Sequence, residues 1–386
     1  VWRRVVDIRV FKPLSDVSTL ENGQLGKINP YAITWTENLY EPGTWSMNLS
    51  ALDTYAETLQ QDNIISVRAS NVYLWGIIRG IDDERTSTAA PIIRSGDDLK
   101  GYLKQRICLY PMSGGDLEGY DTVQGSTETV MKHYVTNNIV SPSNAKRKIP
   151  KFVIAPDQKR GVPDDKYMAR FNPLTELLQE VGAAQEIGYQ VNMDIASDTM
   201  VFDVVQGVDR SAKQSNRPRI IFDVDLSTAI DSRFVSDVEN YRNAFYTTKN
   251  GARSEAEATT ILVCRENEAE PEGRNRYETQ IDVSVDDTAV DVVEEMRNLA
   301  RKEATNFEKD DTFTVELNGN YIYNKDYYLG DFVTIRDRVL RRQDNVQLIS
   351  VTHTWQGIGY KITGTFGKPR KSNLQLLERQ IRTGGK

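Results

Sequence analysis

Strict alternation of apolar and polar residues constrains this chain more than anything else in it. In Thr44-Trp45-Ser46-Met47-Asn48-Leu49 every second side chain is apolar, the period of a half-buried β-strand, so Trp45, Met47 and Leu49 share one buried face. The same pattern returns at Thr312-Phe313-Thr314-Val315-Glu316-Leu317. A second run, Asn63-Ile64-Ile65-Ser66-Val67-Arg68, begins 19 positions after Thr44, and its counterpart Asp331-Phe332-Val333-Thr334-Ile335-Arg336 begins 19 positions after Thr312. Val72-Tyr73-Leu74 then aligns with Val346-Gln347-Leu348, the second after a longer charged loop containing Arg341 and Arg342. A chain that carries one strand run twice is expected to hold two related small β-barrels, a form that leaves few sheet edges exposed.

The remaining elements fall between and around these copies. Ala32 to Leu39 leads through the Pro42-Gly43 turn into the Thr44 strand as an antiparallel pair. From about Asp97 the signals become helical. Ser126 is placed to cap a helix with Glu128 in its first turn and Val130, Met131, Tyr134 and Val135 on one side. In a second helix Asn172 is the N-cap, Pro173 the first residue, Leu174, Leu177, Leu178 and Val181 the apolar stripe and Gly182 the stop. Between them Ser141 to Pro163, with Lys146, Arg147, Lys148 and Lys151 among prolines, reads as an exposed loop. Ile187, Tyr189, Val191, Met193 and Ile195 alternate into the turn Ala196-Ser197-Asp198-Thr199 and a partner strand, Met200 to Val205. A helix over Ala289 to Phe307 carries Val293, Met296, Ala300, Ala304 and Phe307 on one stripe, and the closing strands pass through Phe313, Phe332, Val351 and Tyr360. The fold class expected is α+β, mainly β. The expected domains are a first β-barrel over 1–100, an α-rich insertion over 101–182, strands of the middle and second barrel over 183–288, a connecting helix over 289–308, closing strands over 309–367 and a basic C-terminal tail over 368–386.

The supply of reactive groups is small. His133 and His353 are the whole complement of the residue most used as base or metal ligand, and both read as packed or surface histidines. Cys108 and Cys264 form no CxxC pair, which argues against a zinc site or disulfide framework, and both are expected to be reduced. No GxSxG elbow or phosphate loop occurs; Gly114-Gly115 and Gly384-Gly385 read as loop and tail. The acidic pairs Asp97-Asp98, Asp164-Asp165, Asp286-Asp287 and Asp310-Asp311 have the composition of a cation or two-carboxylate glycosidase site, but their places before helices and strands suit caps and turns. The charged segment Glu266 to Arg276 is expected to be a solvated hairpin loop. Catalytic, cofactor and metal residues are therefore expected to be none.

A balance of 48 Lys and Arg against 55 Asp and Glu, net −7, argues against a surface that grips nucleic-acid phosphates. No window approaches the roughly 20 apolar residues of a membrane span, and Val1-Trp2-Arg3-Arg4 lacks a signal-peptide core, so the chain is expected to fold in a cytoplasm. In the tail, Leu374, Leu377 and Ile381 among Lys368, Arg370, Lys371, Arg379, Arg382 and Lys386 suggest a short amphipathic helix that docks on a neighbouring subunit.

Taken in order, Ile33-Thr34-Trp35 leading to Tyr40-Glu41-Pro42-Gly43-Thr44-Trp45, Glu128-Thr129-Val130-Met131-Lys132-His133-Tyr134-Val135, Asn172-Pro173-Leu174-Thr175-Glu176-Leu177-Leu178 and Leu329-Gly330-Asp331-Phe332-Val333 resemble the tail-hub proteins of long-tailed bacteriophages. The resemblance is to the siphophage type and, more remotely, to the baseplate hub of contractile tails. It implies a non-enzymatic virion subunit at the tail tip. That subunit is a homotrimer whose six quasi-equivalent barrels surround a central channel for DNA and adapt a sixfold tail to a threefold tip. The partners implied are a distal tail ring protein, a tape-measure protein and tip or fibre proteins, with wall degradation and receptor choice left to them. The competing readings are a peptidoglycan hydrolase and a receptor- or glycan-binding module, the latter from aromatics in Tyr321-Ile322-Tyr323 and Tyr327-Tyr328.

Overall fold

In a computed structural model of the chain, every strand of the alternating runs forms where the period places it. The structure describes residues 6–69, 71–86, 90–110, 119–163, 165–249, 260–265, 270–283, 285, 291–304, 307–317, 319–357 and 359–367. In chain order the first strands are β1 (Asp7–Phe11), β2 (Gln24–Ile28), β3 (Ala32–Asn38), β4 (Thr44–Ser50), β5 (Ile64–Ala69), β6 (Val72–Asp83) and β7 (Pro91–Asp98). Along β4 burial alternates without a break, with Trp45, Met47 and Leu49 inside. Trp45 stacks on Trp35 of β3 at 5.9 Å between ring centroids.

An insertion follows. It holds β8 (Asp121–Gly125), α1 (Thr127–Val135), β9 (Phe152–Ile154), β10 (Asp165–Ala169), α2 (Leu174–Ala184) and the hairpin of β11 (Ile187–Asp194) and β12 (Thr199–Gln206). Ser126 caps α1 by accepting from the Thr129 N–H, as its position before the apolar stripe predicts. Val130, Met131, Tyr134, Leu174, Leu178, Ile187 and Phe202 form one core with Trp75 and Ile77 of β6.

Four local expectations are corrected. Pro173, not Asn172, is the cap of α2; Asn172 turns back and accepts from the Arg170 N–H instead. Gly182 lies inside the helix, where the missing side chain admits the Ile187 carbonyl, 2.3 Å from where a Cβ would stand. The expected loop from Ser141 to Pro163 is partly internal: Ile149 and Phe152 are buried and β9 adds to β12 in parallel. Ile195, expected to end the alternating run, is exposed beyond β11.

The chain continues with β13 (Ile221–Asp223), β14 (Ala229–Asp237), β15 (Ala244–Lys249), β16 (Thr260–Cys264), β17 (Glu278–Val283), α3 (Val292–Ala304), β18 (Asp310–Leu317), β19 (Phe332–Asp337), β20 (Arg342–Gln356) and β21 (Gly359–Gly367). Val1–Arg233 with Phe313–Gly367 form one compact unit, and Phe234–Thr312 belong to a second. In the second unit the sheet order is β16-β15-β17, and Met296, Ala300 and Ala304 of α3 bury Phe245, Val263, Ile281 and Val283.

One strand order occurs twice in the large sheet, and the two sets are called copies below. The first set pairs as β3-β4-β7-β6-β5-β1 and the second as β14-β18-β21-β20-β19-β13, the same order in the sheet and along the chain, although β1 joins β5 antiparallel and β13 joins β19 in parallel. Each long strand carries a bulge at the same place, between Ile78 and Gly80 in β6 and between Leu348 and Ser350 in β20. Ile77 faces Ile64 and Gln347 faces Phe332, so Ile77 corresponds to Gln347 and Gly76 to Val346. The sequence alignment of Val72 with Val346 is thus out by four residues. An even shift keeps every side chain on its own face, so alternation alone does not reveal it. The two copies join through β3 and β20 into one thirteen-stranded sheet, and among the described residues the ladders close neither copy on itself.

Candidate functional site

The joint between the copies carries a buried histidine and a set of polar contacts from one strand to the other. Seven residue pairs link β3 to β20, from Ala32 opposite Gln356 to Asn38 opposite Ser350. Across this seam the Thr36 and Thr352 hydroxyls lie 3.0 Å apart, and Ser350 Oγ donates to the Glu37 carbonyl at 2.9 Å. His353 sits at its centre, wholly buried. Its Nε2 is 2.8 Å from Glu37 Oε1 and its Nδ1 is 2.9 Å from the Tyr360 hydroxyl. The ring stacks on Trp355 at 5.4 Å and meets Tyr323 at 5.6 Å. Burial, with the Glu37 charge beside it, holds the Tyr323 hydroxyl well above the usual phenol range. Both ring nitrogens of His353 are therefore occupied by structural partners.

Beside the seam, Leu329-Gly330-Asp331-Phe332 forms a clasp. Gly330 has φ +95°, a left-handed conformation, and its carbonyl lies so near Gly207 that a Cβ there would stand 1.7 Å from it. Asp331 accepts from the Val208 N–H, the Tyr328 N–H and Arg210 Nε, the last at 2.7 Å. Gln347 donates to the Glu186 and Gly330 carbonyls and accepts from the Tyr40 hydroxyl, whose pKa burial drives far upward. The glycine and the aspartate of this segment thus have a backbone reason, since together they tie β12 and the loop after it to the second copy.

A cavity of about 630 Å³ opens next to the clasp, walled by Trp35, Tyr73 and Trp75 of the first copy, Tyr189 and Asn192 of the hairpin, and Tyr323 and Tyr328 of the second copy. Arg160 and Asp203 line it and belong to a charge quartet completed behind the wall by Glu128 and Lys132. Glu128, wholly buried, accepts from Lys132 at 2.5 Å and from Arg160 at 2.8 and 2.9 Å, while Asp203 takes a further bond from Arg160 at 2.6 Å. Burial alone would raise the Glu128 pKa, but these bonds hold it well below the usual carboxylate range. Asp98 is raised to about 6 by burial, against the pull of Lys100 and the N–H groups of Gly43 and Lys100. Of the other charges in the wall, Lys100 pairs with Asp98, Arg210 with Asp331 and Glu37 with His353.

The residues singled out in the sequence are dispersed. His133, half-buried on α1, has its Nε2 2.7 Å from Asp121 and lies far along the chain from His353 and its partners. Neither cysteine forms a disulfide; Cys108 is buried and its thiol is pushed up to about 12 by burial. Of the acidic pairs, Asp98 caps a short helical turn and Asp97 pairs with Lys104 at 2.6 Å, whereas Asp311 accepts from Ser236 at 2.6 Å. In the charged segment ending at Arg276, that arginine bridges Glu270 and Glu278. Tyr323 and Tyr327 are buried against Phe222 and His353, so of the proposed sugar-stacking aromatics it is Tyr328 that presents an exposed ring. Asp164, Asp286, Asp287, Gly114, Gly115, residues 266–269 and the tail 368–386 lie outside the described residues. Among the described residues no group of three or more His, Cys, Asp or Glu is placed to hold a metal ion, and no helix is long and apolar enough to cross a membrane. The quartet of Glu128, Lys132, Arg160 and Asp203 escaped sequence reading, although the i, i+4 spacing of Glu128 and Lys132 was its one local sign.

Comparison with known proteins places this architecture. The family model described as Siphovirus ReqiPepy6 Gp37-like protein matches residues 22–368. No curated protein matches the chain in sequence. Among solved structures, the 43 kDa tail protein of prophage MuSo2 from Shewanella oneidensis superposes with a TM-score of 0.59 at 12% identity, over 94% of this chain and 98% of that one. The tail protein from Neisseria meningitidis MC58 gives 0.58 at 11% identity, over 94% and 96%. Prophage tail protein gp18 from Listeria monocytogenes EGD-e gives 0.51 at 11% identity, over 98% and 100%. At such identities the likeness is one of fold, and the family model carries the assignment: the chain belongs to the Siphovirus ReqiPepy6 Gp37-like protein family and has the fold of phage tail proteins.

Proposed function

We propose that this chain is the structural hub of a phage tail tip or baseplate, a homotrimer in which each subunit contributes two related barrel-type domains. Six quasi-equivalent domains then surround a central channel and adapt a sixfold tail to a threefold tip. The observation that carries the reading is the repeated strand order β3-β4-β7-β6-β5-β1 and β14-β18-β21-β20-β19-β13 within one chain. A ring of three such chains presents six similar surfaces to a hexameric neighbour and three identical subunits to the tip.

On this reading residues 1–100 supply the first domain, and strands of 183–288 with 309–367 supply the second. Residues 101–182 decorate the ring, the helix of 289–308 braces it, and the basic tail of 368–386 docks on a neighbour. The natural partners are a distal tail ring protein, a tape-measure protein and tip or fibre proteins, and DNA passes without specific binding, in keeping with the net charge of −7. The role is structural and belongs to the virion. The paired charges at the joint support it, because they bind elements to one another. The test is mass in solution over a concentration series, with the assembled tail as reference: a threefold multiple of the chain mass is expected. A particle carrying single copies at the tip refutes the proposal.

A further inference from the structure

We infer that the cavity beside the clasp binds a neutral saccharide, held by the Trp35 and Trp75 indole N–H groups and the Tyr189 hydroxyl and stacked on the rings of Tyr73 and Tyr328. This ligand site is additional to the hub role proposed above and does not depend on it.

Three buried polar atoms of the wall have no answer within the protein. Trp35, Trp75 and Tyr189 line the cavity and are 0%, 6% and 1% exposed. Trp35 Nε1, Trp75 Nε1 and the Tyr189 hydroxyl find no hydrogen-bond partner among the described residues. A buried donor without an acceptor is costly and folded proteins keep few of them, so three around one cavity mark a place where the acceptor comes from outside. The Tyr189 ring is already packed, under Lys100 Nζ at 5.3 Å and against Phe202 at 5.9 Å between ring centroids, which leaves the hydroxyl as the group it offers.

The rest of the wall narrows the chemistry of that acceptor. The cations that line it are committed, Lys100 to Asp98, Arg160 to Asp203 and Arg210 to Asp331. A phosphate or carboxylate would find no spare positive charge there, which points to a neutral ligand. Tyr73 and Tyr328, both 45% exposed, bring phenol rings to the part of the wall that meets solvent, with Arg68 and Arg210 over them at 5.8 and 6.0 Å. A ring face attracts the partly positive C–H groups on one side of a pyranose, while the hydroxyl and amide oxygens of a sugar accept from indole and phenol donors. Asn192, exposed in the same wall, can both give and accept. The volume of about 630 Å³ falls within the roughly 300–1,000 Å³ of cavities that enclose small ligands. An N-acetylated disaccharide suits it best, because its carbonyl oxygens are strong acceptors for the three donors. A nucleotide would stack on the same rings but bring phosphate to a wall whose cations are taken.

The experiment titrates the full chain with N,N′-diacetylchitobiose, with maltose and a short oligothymidylate as comparison probes. Saturation transfer from the protein to the C–H protons of the sugar, together with tryptophan fluorescence, reads binding. A Kd of about 1 mM or tighter is expected for the N-acetylated sugar. Tyr189→Phe removes a hydroxyl that bonds nothing among the described residues, so it leaves the urea midpoint in place and weakens binding about tenfold. Tyr328→Ala, at an exposed ring, is expected to weaken binding about tenfold as well, and it decides the matter should Tyr189→Phe fail to fold. Tyr31→Ala, exposed and outside the cavity wall, leaves affinity unchanged. The inference is overturned if neither sugar binds at about 50 mM, or if the oligothymidylate binds more tightly than both sugars. It is equally overturned if either folded cavity variant binds as well as the unaltered chain, or if Tyr31→Ala weakens binding as much as they do. The hub reading stands under every one of these results.

Discussion

Replacing His353 by leucine tests whether the joint between the copies is structural. The change deletes two hydrogen bonds, one to the Glu37 carboxylate at 2.8 Å and one to the Tyr360 hydroxyl at 2.9 Å, at a position with no solvent exposure. A bond to a charged group contributes roughly 1.5–3 kcal/mol and a neutral one about 1 kcal/mol, so the expected loss is about 3 kcal/mol. His133→Leu is the internal comparison. Its side chain is 30% exposed and Asp121 keeps a bond from Asn137 at 3.1 Å, so its loss is about 1 kcal/mol or less. The assay is urea unfolding followed by tryptophan fluorescence. Of the five tryptophans, the four described ones, Trp35, Trp45, Trp75 and Trp355, belong to the first unit, so the signal follows that unit. The midpoint of His353→Leu should fall by about 1 M at unchanged slope. Equal midpoints for the two variants would refute the role given to the seam.

Two buried carboxylates are expected to give opposite pH responses. The Glu128 pKa is depressed, so its contribution is present above the ordinary carboxylate value and is lost on acidification below about 4.5; Glu128→Gln costs about 3 kcal/mol at pH 7, because it leaves Lys132 and Arg160 with Asp203 as their one carboxylate, and flattens that acid loss. The Asp98 pKa is raised to about 6, so the folded state binds its proton more tightly and stability falls as pH rises from about 4 through 6; the difference between the unaltered chain and Asp98→Asn over that interval measures it. Gly207→Ala drives a Cβ into the Gly330 carbonyl and should cost about 2 kcal/mol or more in the same unfolding assay, because the obstacle is backbone. Thiol labelling at pH 8 should modify half-exposed Cys264 well before Cys108, whose thiol is buried and raised to about 12; mass spectrometry of the digested chain reads the order.

What was legible in the sequence was what period and capping encode locally. The β4 run, the Ser126 cap and the β11–β12 hairpin all formed where alternation and turn chemistry put them. The duplication was legible as a spacing, but its third strand slipped by four residues, because a period of two leaves even shifts unmarked and the bulges were invisible. β9 was missed since three residues in parallel pairing leave no alternating signature. The joint itself was out of reach. His353 and Glu37 lie 316 positions apart, and a lone histidine in a strand gives no sign of a carboxylate waiting on another copy. Gly330 and Asp331 stood out only as part of a resembling motif, and their reason appears once Gly207 and Arg210 are brought against them.

The claim that one chain supplies two equivalent domains to a threefold ring is tested most directly by an averaged end-on electron-microscope view of the tail tip, with this chain located by a bound antibody fragment. The account predicts six similar lobes around a channel with three antibody fragments, one for every second lobe. Six fragments on six lobes, or a single copy off the axis, would contradict it.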